Sequence, residues 1–209
     1  VALTLTGFTA AVYLPALFLE RGVYVRERAD GLYAPGTYIC YKLAVEIFIA
    51  ATSAAITTAA LFYGVALHGS WLYFYIVFTL STATAISLGY LFSAASPSLD
   101  VANAALPSFV VVHFLLMGAL IRFPDMPAAW RWTRYVNWLA WGWAGLMQNE
   151  TNEAAGGKAL EIVGMPAVEF YDLGIATNKW VCVAALLGFT AVYSAGAWAV
   201  LRFKRLTKR

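Results

Sequence analysis

"WLYFYIVFTLSTATAISLGYLFSAA", residues 71–95, runs for 25 residues without one charged side chain. As a helix it extends about 38 Å, whereas about 20 apolar residues suffice to cross a hydrocarbon layer of about 30 Å. The stretch changes character midway. Its first half is aromatic; its second carries Ser81, Thr82, Ala83, Thr84, Ala85, Ser87 and Gly89. Small residues let helix backbones approach closely in lipid, so the second half is expected to be buried against neighbouring helices.

Four further blocks are long and apolar enough to span: 1–19, 38–67, 101–121 and 180–201. The composition agrees, with 62% hydrophobic and only 12% charged residues, against about 25% charged in an average soluble domain. The expected fold is all-α, a polytopic helical membrane protein of five transmembrane helices in a single transmembrane domain over 1–209. A soluble domain does not fit. Nor does an outer-membrane barrel, whose strands would read as short alternating segments.

Basic residues flanking the spans set the orientation. Arg21, Arg26, Arg28 and Lys42 lie between the first two blocks, and Arg202, Lys204, Arg205, Lys208 and Arg209 follow the last. Five spans put both clusters on the cytoplasmic side and the 122–179 region, with six acids and five bases, outside. The net charge of +3 is therefore a topology signal and implies no nucleic acid. Which membrane the protein occupies is left open. The chain begins "VALTLTGF", with no Met, basic n-region or cleavage site. That is no signal peptide, and it leads us to expect more chain upstream. Cys40 and Cys182 fall near opposite faces of the layer, too far apart for a disulfide, which needs Cα atoms within about 7 Å.

The second block, 38–67, is longer than the bilayer, so Lys42 and Glu46, four residues apart, are expected to pair where its excess protrudes. Between the first two blocks lies "ERGVYVRERADGLYAPGTY", residues 20–38, with seven ionisable groups from Glu20 to Asp30. Read alone, these are solvated charges holding the chain on the cytoplasmic side. Gly31 suits a tight turn there, and Pro35 fixes the approach to the next helix.

Beyond the 101–121 block come Arg122, Asp125, Arg131 and Arg134. Each would cost about 2.5–3.5 kcal/mol at a helix centre. Yet "AAWRWTRYVNWLAWGWAGLMQNE", 128–150, is too apolar for a free loop, and it holds five tryptophans within fourteen residues. Trp132, Tyr135, Val136, Leu139 and Trp143 read as one helical stripe. Indoles favour the membrane–water interface. We expect a re-entrant, Trp-rich helical hairpin over 122–149, packed on the other spans, then an external loop over 150–179. "NET", 149–151, is a glycosylation sequon close to the membrane.

No phosphate-binding loop, dinucleotide fingerprint or metal cluster occurs. His68 lies in the short outer turn "LHGS" and is expected to be solvated. His113 lies inside an apolar block, where a polar group is a candidate functional residue; a bond to a neighbouring helix reads equally well. No nucleophile–base–orienter set can be assembled, so no catalytic site is assigned.

The chain resembles the membrane domain of the G subfamily of ABC transporters, the half-transporter type. "FLERGVYVRERADGLYAPGTYICYKLAVE" is similar to the segment joining that domain's second and third spans. "SLGYLFSAASPSLDVANAALPSF" resembles the end of its fourth span and the start of its fifth. "MGALI" and "WRWTRYVNWLAWGWAGLMQNE" look like its gate and re-entrant helices, and a lone final span with a basic end looks like the sixth. The cysteines frequent in the family's outer loop are absent here.

The resemblance implies the second to sixth of six spans, with an ATPase domain and first span upstream. It implies a cytoplasmic coupling segment within 20–37, in which Arg26, Glu27 and Arg28 contact a nucleotide-binding domain. It places Phe8, Val111 and Phe114 in a substrate cavity and Ala119 and Leu120 at the gate. The implied partners are that domain, a second transporter half and membrane lipids. No cofactor belongs to this chain; ATP and Mg would sit on the nucleotide-binding domain. The function implied is export of lipids, sterols or amphipathic small molecules by a dimer. The alternative is an exporter-derived scaffold subunit that lacks its own ATPase.

Overall fold

The computed structural model describes residues 2–152, 161–162, 165–175 and 178–203. Five helices form the body: α1 (Ala2–Ala29), α2 (Pro35–Gly64), α3 (Trp71–Ala95), α4 (Leu99–Leu115) and, last in the chain, α8 (Lys179–Phe203). Short elements lie between α4 and α8. Two 3-10 turns, Phe123–Asp125 and Ala128–Trp130, lead into α5 (Thr133–Val136) and α6 (Trp138–Asn152). A two-residue antiparallel ladder, β1 (Glu161–Ile162) with β2 (Met165–Pro166), and α7 (Ala167–Phe170) follow. The fold is helical, as expected. Four helices, α1, α2, α3 and α8, are long and apolar enough to cross a membrane, and α4 is a shorter apolar helix of 17 residues.

The bundle is organised around α3, against which α1, α2, α8 and α6 all pack. Its small and hydroxylated half is the buried part: Ser81, Ala83, Thr84, Ala85, Ser87 and Gly89 are all inside. The reason is close approach. A Cβ at Gly89 would lie 3.3 Å from Leu17 on α1. On the α8 side the hydroxyls bond across the seam, Thr84 to Thr190 at 2.8 Å and Ser194 to Ser87 at 3.3 Å. Such pairs satisfy polar groups where water cannot.

Three departures from the expected limits stand out. The first block ends at 19, but α1 continues to Ala29, so the charged segment is its last turns and only 30–34 form the connection. There Gly31, at φ +77°, donates to the Arg28 carbonyl and Leu32 to the Glu27 carbonyl, both at 3.1 Å. These are the two bonds of a Schellman stop, which needs a left-handed residue best supplied by glycine. Pro35 then opens α2, where a missing N–H costs nothing.

The second difference concerns 101–121. Helix α4 ends at Leu115, and Gly118, at φ +92°, turns the chain over Phe123. A Cβ at Gly118 would stand 2.5 Å from that ring. The third concerns 150–179, which is not plain loop: α6 runs through Asn152, and the ladder and α7 follow. Residues 153–160, 163–164 and 176–177, with Gly156 and Gly157, lie outside the described residues, as do Lys204, Arg205, Lys208 and Arg209.

Candidate functional site

The charged segment does structural work first. Arg21 donates to the carbonyls of Ser93 and Ser96, at the end of α3. Arg28 donates to those of Leu201 and Arg202, at the end of α8. The last carbonyls of a helix lack partners and carry the negative end of its dipole, so guanidinium groups belong there. Glu27 accepts from the Tyr33 hydroxyl, and burial, then that bond, pushes the Tyr33 phenol up to about 12. Lys42 pairs with Glu20 of α1 at 2.8 Å. The expected pairing with Glu46 is not formed, because the Lys42 ammonium is taken by Glu20 near the end of α1. Of the three residues assigned to coupling, Arg26 alone is exposed, and it has no side-chain partner among the described residues.

At the opposite end, the decisive residue is Asn137. The stripe from Trp132 to Trp143 is not one helix: Asn137 is extended, and it separates α5 from α6. Its Oδ1 accepts from Leu139 N–H at 3.0 Å, capping α6. Its Nδ2 donates at 2.6 Å to the His113 carbonyl, one of the orphaned acceptors at the end of α4. The break turns Trp132, Tyr135 and Val136 outward, while Trp138 and Leu139 are completely buried. Sequence reading named the tryptophans and passed over Asn137, although an amide before an apolar helical run is a recognisable cap signal.

Trp138 presses against α1. A Cβ at Gly7 would meet Val110 of α4 at 2.8 Å and Trp138 at 3.7 Å, so α1, α4 and the hairpin converge on one glycine. Phe8 and Phe114 are half-buried against this same core, and Val111 lies on the open face of α4. Ala119 is half-buried and Leu120 exposed, on the turn that Gly118 starts.

Between α4, the hairpin and α8 lies a cleft of about 730 Å3. Phe109, Trp130, Tyr135, Trp141, Phe189 and Tyr193 make it aromatic. His113 also lines it, its ring tilted 36° to that of Phe109 with centroids 4.1 Å apart and its Nδ1 bonded to the Phe109 carbonyl of its own helix. Mostly apolar walls with a few polar points are what an amphipathic ligand requires.

The turn between α2 and α3 is held by the end of α6. Glu150 accepts from the backbone N–H of His68 at 2.7 Å and of Gly69 at 3.1 Å. Asn149 is buried, with Nδ2 donating to the Ser70 carbonyl at 3.1 Å and Oδ1 accepting from Lys179 at 3.2 Å. The sequon asparagine is therefore engaged on both sides of its amide. His68 is exposed, 3.5 Å from Glu150. Arg134 pairs with Asp172 at 3.0 Å and Arg131 holds the Met126 and Pro124 carbonyls, so the charges following α4 are used locally. Among the described residues no His, Cys, Asp or Glu cluster could hold a metal.

Residues 1–151, most of the chain, match the family described as ABC-2 type transporter. The chain belongs to that family. Its relatives place this ABC-2 membrane domain in the G subfamily. It is 27% identical over 201 residues to ABC transporter G family member STR2 of Petunia hybrida, covering 94% of this chain. To the Medicago truncatula protein of the same name it is 26% identical, covering 97%. To ABC transporter G family member 39 of Arabidopsis thaliana it is 28% identical, over 72% of this chain and 11% of that one. This ABC-2 chain spans 28% of the length of either STR2 protein. It is an integral, multi-pass membrane protein.

Proposed function

We propose that this chain forms the membrane half of an ATP-driven exporter of lipids, sterols or other amphipathic molecules, working as a dimer with nucleotide-binding domains. The observation that carries the reading is the continuity of α1, 28 residues of unbroken helix over about 42 Å, which runs through Pro15. At one end it meets α4 and Trp138 through Gly7; at the other it presents Arg26. A push delivered by an ATPase domain at Arg26 would travel along α1, past Pro15, to Phe8 and through the Gly7 contact to Val111 and Phe114 on α4. Those three residues, none of which lines the α4–α8 cleft, would line a separate cavity on the other side of α4, with Ala119 and Leu120 as its gate. Glu27 and Arg28 would support the coupling surface from within, through Tyr33 and the end of α8.

The test is transport by the full-length protein in proteoliposomes, with fluorescent phospholipid and sterol probes. Phe8→Ala should lower ATP-dependent export while leaving the folded fraction unchanged. Unchanged export of every probe would remove Phe8 from the cavity. No export of any probe by well-folded protein, with its nucleotide-binding domain present, would favour the scaffold reading.

A further inference from the structure

The cleft between α4, the hairpin and α8 lies apart from the residues assigned to export, and each of its three sides presents rings. Phe109 and His113 come from α4, Tyr135 and Trp141 from the hairpin, and Phe189 and Tyr193 from α8. The Phe109 and His113 rings lie 4.1 Å apart, those of Phe189 and Tyr193 6.1 Å apart. Trp130 and Trp132, both exposed, stand at the rim.

Most polar side chains on these walls are already engaged. Thr133 donates to the Trp130 carbonyl, the Trp141 indole to the Tyr135 carbonyl, and Arg134 to the Tyr135 hydroxyl. Asn137 uses both amide atoms to join α4 to α6. Inside the rim, the Nε2 of His113 and the Tyr193 hydroxyl have no hydrogen-bond partner among the described residues. Both side chains are only half-buried, so the cleft reaches them.

The tautomer decides what His113 can hold. Its Nδ1 lies 2.9 Å from the Phe109 carbonyl, which can only accept, so Nδ1 carries the proton. In the neutral ring Nε2 is then an acceptor, on the far side of the ring from that bond. What it lacks is a donor. A cation would donate too, but no carboxylate lines the cleft among the described residues to balance its charge. The fitting donor is a neutral hydroxyl.

The rings decide the rest of the ligand. Aromatic pairs gain beyond the area they bury, through offset or edge-on contact, and a ring entering here meets partners on all three sides. An alkyl chain gains burial alone. The volume of about 730 Å3 lies within the usual range for a small-molecule site.

We propose that this cleft binds a neutral phenol, whose hydroxyl donates to His113 Nε2 and whose ring lies among Phe109, Phe189 and Tyr193. The site is separate from the cavity assigned to Phe8, Val111 and Phe114, and it does not depend on what the protein exports.

The experiment measures tritiated 2-naphthol on the full-length protein in nanodiscs near neutral pH, with empty nanodiscs as the blank. Two competitors are compared at equal concentration in the bilayer: 2-methoxynaphthalene, which keeps the rings but cannot donate, and 1-decanol, which donates without a ring. 2-Naphthol should bind saturably. The ether should bind roughly fivefold more weakly for the lost hydrogen bond, and decanol more weakly than 2-naphthol. His113→Phe keeps a ring and removes the acceptor, so it should lower 2-naphthol to the affinity of the ether and leave the ether unchanged. Phe189→Leu should weaken both alike, by roughly twofold to tenfold. Phe8→Ala should change neither. Equal affinity for 2-naphthol and its ether on the unaltered protein would overturn the proposal without any variant. So would a preference that survives His113→Phe, or decanol competing as well as 2-naphthol, which would make the cleft an ordinary lipid groove. Binding lost in Phe8→Ala would move the phenol to the export cavity and overturn the separate site. Saturable naphthol binding without export of any probe would leave this site standing and the transport reading lost.

Discussion

Asn137 donates its side-chain amide to the backbone carbonyl of His113 across 2.6 Å, and with its other amide atom caps the helix that follows. One residue thereby closes the end of α4 and opens α6. Asn137→Ala should strand a buried carbonyl, costing about 1–3 kcal/mol, and remove a cap worth about 1 kcal/mol. His113→Ala keeps the backbone acceptor and should cost less. Thermal unfolding in detergent, followed by size-exclusion fluorescence, checks the order; an equal or larger loss for His113→Ala would contradict it.

Asn149 should carry no glycan, despite its sequon. Its side chain is 1% exposed and bonded to Ser70 and Lys179. Treatment of eukaryotically expressed protein with an endoglycosidase should leave the gel mobility unchanged, and a shift traced to Asn149 would refute this packing. Gly69→Ala should destabilise the same junction, because its Cβ would stand 2.5 Å from the Asn149 amide and 2.8 Å from its carbonyl.

Arg26 and Arg28, two residues apart, should behave differently. Arg28 holds the end of α8, so Arg28→Ala should lower stability by about 1.5–3 kcal/mol, the usual range for bonds to a charged group. Arg26→Ala should leave stability unchanged and weaken the link between ATP hydrolysis and transport in the full-length protein. Unfolding temperature and substrate-stimulated hydrolysis, measured on both variants, separate the roles. Equal destabilisation by the two would end the distinction.

Alkaline conditions should loosen the connection between α1 and α2. The Tyr33 phenol is raised in the folded chain from 10.0 to about 12. The folded state therefore holds the proton more tightly than the unfolded one, and stability present below pH 10 falls as the pH rises toward 12. Tyr33→Phe should remove that part of the decline. Unfolding midpoints of both proteins across this range check the sign, and parallel curves would show that Tyr33 does not contribute.

The apolar runs alone determined that this is a helical membrane protein, because 25 uncharged residues at 71–95 leave the backbone no other way to satisfy itself in lipid. They also marked the small half of α3 as the packed one, since side-chain size is written directly in the sequence. Hydropathy could not place the end of α1, because it records where lipid contact stops while the helix follows its hydrogen bonds ten residues further, to Ala29. Periodicity joined Trp132 to Trp143 in one stripe, for it has no means of seeing that Asn137 finds a carbonyl on a distant helix. The Lys42 pairing was missed for the same reason: Glu20 is 22 residues away in sequence but 2.8 Å away in space. Local order sets which groups need partners. Only the packing of α1, α4, α6 and α8 decides which partners they get, because a carbonyl, an orphaned carboxylate or a ring face is satisfied by whatever the fold brings within reach.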